Sequence, residues 1–370
     1  MNAYDSPTDA TTAGPSQNES VPLRLAIVGT GGIGQLHARL AAEMASVDLV
    51  GLSGLDDQAN ALAQQVGCPL FGDYRRLLEV DPEAVIVATP NETHLEIASF
   101  FAQSGVDLLV EKPIAESLVA ARQLCTAASD AGVQLLVGHH RRHHSLVKTA
   151  KAFVESHLGQ LVATNTLVTM RKPDSYYDVE WRRGKAAGPL LVNLIHEVDL
   201  LRAVCGEITH VQAVGSKIGR NFEFDDTAAM IFQFDSGAVG TLAISESTPS
   251  PWSWEASVSD GMGFHNAGQD HLKFIGTQAS LSFPSLTAWR YETTTADPGW
   301  QSPLLASRLD QLHTNPYINQ IEHLVELSRG NVEPLVSGED GLRSLAVVDA
   351  VMIAAQSGQT INVAKLVADI

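Results

Sequence analysis

Only three cysteines, Cys68, Cys125 and Cys205, occur in 370 residues, far apart and with no CxxC pair. That scarcity excludes a disulfide frame and a cysteine-based zinc site, and the three read as small buried hydrophobes in a reducing compartment, the cytoplasm. Positive charge is also short: 24 Lys plus Arg face 42 Asp plus Glu, a formal charge of −18. Such a surface argues against nucleic acid or anionic membrane as a partner and for small molecules. No apolar run is long enough to span a bilayer, and no charged-then-apolar leader opens the chain, so no membrane association is expected. Residues 1–20 have no hydrophobic period, and their Ser, Thr, Asp, Asn and Pro content predicts a disordered tail.

What is present begins with LRLAIVGTGGIG, residues 23–34. The apolar run Leu25, Ala26, Ile27 and Val28 reads as a buried strand that feeds a loop of Gly29, Thr30, Gly31, Gly32, Ile33 and Gly34. Gly29 permits a tight turn, Gly31 keeps side chains away from an approaching pyrophosphate, and Gly34 lets the next helix pack close to the strand. That helix, from about Ile33 through Leu40, would aim its N-terminal amides at phosphate. Further apolar strands are expected at Asp48–Ser53, Ala84–Thr89, Asp107–Glu111 and Gln134–Gly138, alternating with helices. Thr93 and Glu96 read as a capping box for a helix over His94–Gln103. Another helix, Ser117–Ala131, stops at Gly132. The pattern predicts an α/β chain whose residues 21–144 form a doubly wound parallel sheet. From about residue 145 the texture changes. Alternating runs at Leu161–Met170, His210–Ile218, Thr227–Phe234 and Ala238–Ser245 predict antiparallel strands, so residues 145–370 form a second, α+β domain on a larger sheet. Helices return at Asn319–Arg329 and Glu339–Ser357.

The segments GTGGIG (29–34), ATPNETH (88–94), EKPIAES (111–117), GHHRRHH (138–144), NLIHEVD (193–199) and SGEDGLRSLAVVDA (337–350) occur in this order. In them the chain resembles the glucose-fructose oxidoreductase, inositol dehydrogenase and MocA family over nearly everything after residue 22. The resemblance implies a Rossmann domain, a C-terminal domain with a large open mixed sheet, and a nicotinamide cofactor, NAD or NADP, held between them. It implies hydride transfer on sugars, cyclitols or related hydroxy compounds. It also implies homodimers or homotetramers formed through the open sheet.

Individual residues carry the chemistry. Thr89, Pro90 and Asn91 fall at a strand's carboxyl end, where open α/β sheets bind ligands, although a turn and an N-cap account for Pro90 and Asn91 equally well. His94, in the next helical turn, is a cofactor contact only by the resemblance. Glu111-Lys112-Pro113 ends another strand; by the resemblance Glu111 and Lys112 are expected at the cofactor and Lys112 matches the family's catalytic lysine, an ordinary solvated lysine being the alternative. Asn193, His196 and Asp199 recur every three residues and would share one polar helix edge facing substrate. An alcohol gives up a hydride only as its hydroxyl proton leaves, and histidine titrates in the range that suits this work, so His196 is the expected acid/base. The family's usual aspartate four residues before it is replaced by Val192. Asn193 is therefore the candidate to orient the imidazole or bind a substrate hydroxyl.

Cofactor choice stays open. A ribose-binding carboxylate is expected about 20 residues after the last glycine, which falls on Gly54. Ser53 offers a 2′-phosphate a hydroxyl, whereas Asp56 and Asp57 would repel it. The 139–144 cluster matches no zinc spacing, so no metal is expected; His140 is placed near the nicotinamide and the rest at the domain junction. Trp181 is a candidate wall of the substrate pocket, and Ser257–Gln269 reads as a mobile loop over the cleft. Two other functions fit the same fold: a non-catalytic dinucleotide-binding sensor or assembly protein, and a hydrolase or lyase that recycles its cofactor.

Overall fold

The computed structural model describes residues 21–184, 187–260, 263–292, 297–312 and 314–370, except for the side chain of Trp181. The expected tail, 1–20, lies outside the described residues.

Six short apolar strands form the first sheet: β1 (Leu23–Val28), β2 (Val47–Ser53), β3 (Leu70–Phe71), β4 (Ala84–Val87), β5 (Asp107–Val110) and β6 (Leu135–Val137). All pair in parallel, in the order β3-β2-β1-β4-β5-β6 of a doubly wound nucleotide-binding sheet. They are apolar on both faces because helices cover both. Four helices connect or follow them: α1 (Gly32–Glu43), α2 (Asp57–Val66), α3 (His94–Gln103) and α4 (Leu118–Ala131). Ser117, expected as the first residue of this helix, instead caps α4 by accepting from the Ala120 amide, while Gly132 ends it in the left-handed region, as the sequence predicts.

The capping box predicted for α3 does not form. Asn91–Thr93 make a 3₁₀ turn that runs straight into α3, so Thr93 has helical rather than extended backbone angles and cannot cap. Its hydroxyl turns instead to Thr89 Oγ1, and Glu96 accepts from Tyr74 Oη at 2.7 Å and Arg75 at 2.9 Å.

After α5 (Ser145–His157) the chain enters β7 (Leu161–Thr169), then α6 (Pro189–Val192), α7 (Leu194–Cys205), β8 (Ile208–Ser216), β9 (Thr227–Phe234) and β10 (Val239–Ser245). A one-turn helix, α8 (Trp254–Ser257), precedes β11 (Leu272–Gly276), β12 (Ser280–Phe283), β13 (Thr287–Tyr291) and β14 (Leu304–Arg308). The C-terminal part holds α9 (Pro316–Ser328), α10 (Gly338–Ser357), β15 (Ile361–Asn362) and α11 (Val363–Ala368). The second sheet has nine strands in the order β14-β13-β12-β11-β7-β10-β9-β8-β15; only β7 and β10 pair in parallel. Burial alternates along β9, because one face packs on the core and the other faces outward. Helix α9 starts three residues before the expected Asn319, because Asn315 caps it and Pro316 opens it. Helix α10 ties the two sheets together, packing on β6 and α4 of the first and on β8 of the second.

Candidate active site

Gly29 takes a positive φ of +98°, and a Cβ there would stand 2.5 Å from the Ala88 carbonyl oxygen. Gly34 sits so close to the turn that a Cβ would meet the Gly29 carbonyl oxygen at 2.0 Å. Gly31 and Gly32 are different: a Cβ on either meets nothing within 4 Å. Space is thus kept over the N-terminus of α1, where Gly31 is the N-cap and no side chain caps the helix. That cradle fits a dinucleotide pyrophosphate. Thr30 and Ser53 are buried beside it, and Ser53 accepts the Gly29 amide through its carbonyl at 2.9 Å.

The strand ends β4 and β5 meet over His94. The sequence places this ring against the cofactor, but both of its nitrogens face backbone carbonyls: Nδ1 lies 3.1 Å from Pro113 O and Nε2 2.9 Å from Thr89 O. The ring is buried and staples the Thr89-Pro90-Asn91 turn to the Lys112-Pro113 turn. Glu111, also expected at the cofactor, is buried and spends its carboxylate on His37 and on the Lys112 amide.

Lys112 follows, half-buried, with its Nζ donating to the Val192 carbonyl at 3.2 Å. Burial holds its pKa down to about 8; Glu111 opposes this and Arg141 and Lys172 add to it. Val192 ends α6, and Asn193 separates α6 from α7. His196 lies in the first turn of α7, its Nδ1 buried without a hydrogen-bond partner. Burial, then the charges of Lys112 and Arg141, hold its pKa well below the ordinary imidazole range, so the ring is neutral at pH 7. The near-neutral titration that the sequence leads one to expect is displaced. His140 packs edge-on to His196 at 5.3 Å between ring centres and stacks on Tyr317 at 4.3 Å.

Asn193 and Asp199 do not behave as a shared polar edge with His196. Asn193 Oδ1 is buried and unpartnered, so no side-chain hydrogen bond orients the imidazole. Asp199 is sealed at the domain junction, where Arg142 grips both its oxygens at 2.7 and 2.9 Å and Ser344 donates at 3.0 Å. The helix is covered on several sides, by α5, α6 and α10, so three-residue spacing there does not mark a solvent-facing stripe. Arg141, from the same cluster, pairs with Glu197 and Glu255 and lies over the Trp254 ring at 4.6 Å.

Several residues here escape a sequence reading. Tyr317 was hidden by the late helix start; Asn315-Pro316 is the signal that places it. His37 lies on the buried face of α1 with Gly34, Ala38 and Ala41, a spacing that marks it. Glu255 has no sequence signal. Its Oε1 is 3.1 Å from Arg141, while Oε2 is buried with no partner. The Trp181 side chain lies outside the described residues, as do positions 261–262 of the expected cleft loop. An aspartate at position 54 has no room, since a Cβ would stand 2.4 Å from Thr30 Oγ1 and 2.7 Å from Ala59 Cβ.

Comparison with known proteins extends these observations. Residues 23–139 match the model of an oxidoreductase family with an NAD-binding Rossmann fold, and residues 151–363 match that family's C-terminal alpha/beta domain. The chain is 25% identical to D-xylose 1-dehydrogenase (NADP(+)) 2 of Haloferax volcanii, covering 91% of this chain and 98% of the relative. It is 26% identical to inositol 2-dehydrogenase of Rhizobium meliloti, covering 92% and 99%. The fold superposes on an oxidoreductase from Thermotoga maritima with a TM-score of 0.77 at 22% identity, covering 94% of this chain and 100% of the other. With both family models matched in sequence and the two sheets present in space, the chain belongs to the glucose-fructose oxidoreductase, inositol dehydrogenase and MocA family of NAD(P)-dependent oxidoreductases.

Proposed function

We propose that the protein transfers a hydride between nicotinamide and a secondary alcohol or ketone of a sugar, cyclitol or cyclic diol. The observation that carries this reading is the convergence of Lys112, from the end of β5, on the carbonyl that precedes the His196 turn. The Gly29–Gly34 cradle, with Thr30, Ser53 and the Thr89-Pro90-Asn91 turn, holds the dinucleotide; when bound, the nicotinamide accepts or supplies the hydride. Neutral His196 accepts the hydroxyl proton during oxidation and returns it during reduction. The Lys112 ammonium donates to the same substrate oxygen and stabilises the negative charge that grows there. Asn193 Oδ1 and Glu255 Oε2, both acceptors without partners, suit hydroxyls on neighbouring carbons.

Residues 21–144 then bind cofactor and 145–370 bind substrate and assemble the oligomer. The outer face of the nine-stranded sheet exposes Val162, Val214, Ile231 and Val239, which supports pairing of two copies through that face into a homodimer or homotetramer. The three free thiols suit the cytoplasm. The deciding experiment follows absorbance of reduced nicotinamide with NAD and with NADP across polyols, aldoses and cis-diols. Turnover of at least one hydroxy compound is expected. Tight dinucleotide binding with no turnover anywhere in the panel would replace this reading with that of a sensor.

A further inference from the structure

Glu111 directly follows β5, one residue before Lys112, and is buried. Its Oε1 lies 2.8 Å from His37 Nε2, and its Oε2 accepts the Lys112 amide at 3.1 Å. Gly138, just past β6, makes the space: a Cβ there would stand 2.8 Å from Oε2, so the carboxylate is wedged against backbone. His37 reaches it from α1, one turn beyond Gly34. Its Nδ1 is buried with no hydrogen-bond partner, which places the donated ring proton on Nε2. Tyr317 packs edge-on to His37 at 5.9 Å and stacks on His140, so the ring has packed neighbours that hold its orientation.

A carboxylate sealed from water takes up a proton unless donors or positive charge oppose it. Burial pushes the Glu111 carboxyl up, yet the hydrogen bond and field of His37, followed by Lys112, hold it below its usual value. Lys112 has the converse problem. Burial disfavours its ammonium, Arg141 and Lys172 repel it, and the rings of His139, His140 and His196 face it; Glu111 is the strongest opposing influence and Glu255 a weaker one.

We propose that His37 and Glu111 are a positioning pair for Lys112: the His37 donor keeps the buried carboxylate ionised and fixed, and the carboxylate keeps the lysine an ammonium at neutral pH. The proposal rests on the reading of Lys112 as the cation that holds the substrate oxygen. His37 needs no contact with substrate or cofactor to act in this way.

The chain has eight lysines, so Lys112 can be followed directly in protein labelled with ¹³C at lysine Cε, its resonance assigned by its loss in Lys112→Met. Wild type is expected to titrate near pH 8. Glu111→Gln and His37→Leu should each lower that midpoint by about one unit, the scale of a lost neighbouring charge. His37→Gln carries an amide nitrogen near the place of Nε2 and should titrate as wild type does. The alkaline limb of kcat/KM should move in step. An unshifted Lys112 midpoint in Glu111→Gln overturns the proposal even if His37→Leu fails to fold. So does a shift in His37→Gln as large as that in His37→Leu. The titration is read without turnover. A shifted midpoint in a protein that oxidises nothing upholds the pair and faults only the functional reading.

Discussion

Lys112 Nζ donates to the main-chain carbonyl of Val192 at 3.2 Å, joining the end of a Rossmann strand to the break between α6 and α7. The resemblance leads one to expect an aspartate at position 192, where this chain has valine. The contact uses its backbone, so the side-chain replacement leaves the meeting of the two domains in place. What changes is the electrostatics: no carboxylate from position 192 offsets the charges that press on His196.

That difference predicts the pH profile of alcohol oxidation. His196 is neutral well below pH 6.5, so kcat/KM should show no acid limb near that value. The Lys112 ammonium is present below about 8 and lost above it, so the rate should fall as pH rises past 8. Lys112→Ala should remove the alkaline limb. A rate that climbs between pH 6 and 7 would show His196 titrating in the ordinary range.

Replacing Lys112 by Ala or His196 by Asn should cut kcat by roughly 10²- to 10⁴-fold, the usual worth of a positioned proton-transfer group. Dinucleotide affinity, measured by calorimetry, should not change, because the cradle at Gly31 lies elsewhere. Wild-type turnover in both variants would assign the chemistry to other groups.

The glycine turn should separate into two kinds of position. Gly31→Val projects into open space, so its melting temperature should match wild type while dinucleotide binding is lost. Gly34→Ala drives a methyl into the Gly29 carbonyl and should cost about 1–3 kcal/mol of stability, read by denaturant unfolding. Equal melting temperatures for the two would contradict the packing described here.

Gly54→Asp should not switch cofactor preference. Its Cβ meets Thr30 and Ala59, so the expected outcome is a lower melting temperature with an unchanged ratio of kcat/KM for NAD and NADP. A move of that ratio toward NAD, with stability retained, would mean the loop can open to admit the carboxylate.

Acid should destabilise the fold before most carboxylates titrate. Burial holds the pKa of His139 at about 4 and those of His143 and His271 at about 3. Unfolded, each takes up a proton near pH 6.5; folded, none does until pH 4 or below. Above about pH 6.5 these rings are neutral in both states; as pH falls the unfolded chain takes up protons that the folded one cannot, so stability declines through this window. Melting temperature should drop steadily from pH 6.5 to 4, and His271→Leu should reduce that slope.

Local chemistry made the Rossmann half legible. Five apolar strands, the Gly132 helix stop and the glycine turn are each set by a few adjacent residues, and the first sheet has the predicted parallel pairing. The motifs also singled out Lys112 and His196, the two residues on which the proposed chemistry rests. Tertiary packing decided the rest. Thr93 and Glu96 had the letters of a capping box, but the preceding 3₁₀ turn removed the backbone geometry it needs. Asp199 had the right spacing to share an edge with His196, but Arg142 and Ser344 arrive from distant segments and consume it. His94 and Glu111 were likewise claimed by carbonyls and by His37. A buried polar group must find its partner wherever the fold brings one, and such partners lie many residues away. Sequence spacing determined which elements form and which residue types stand at their ends; the packing of α1, α7, α9 and α10 around the strand ends determined which of those side chains are already engaged with partners.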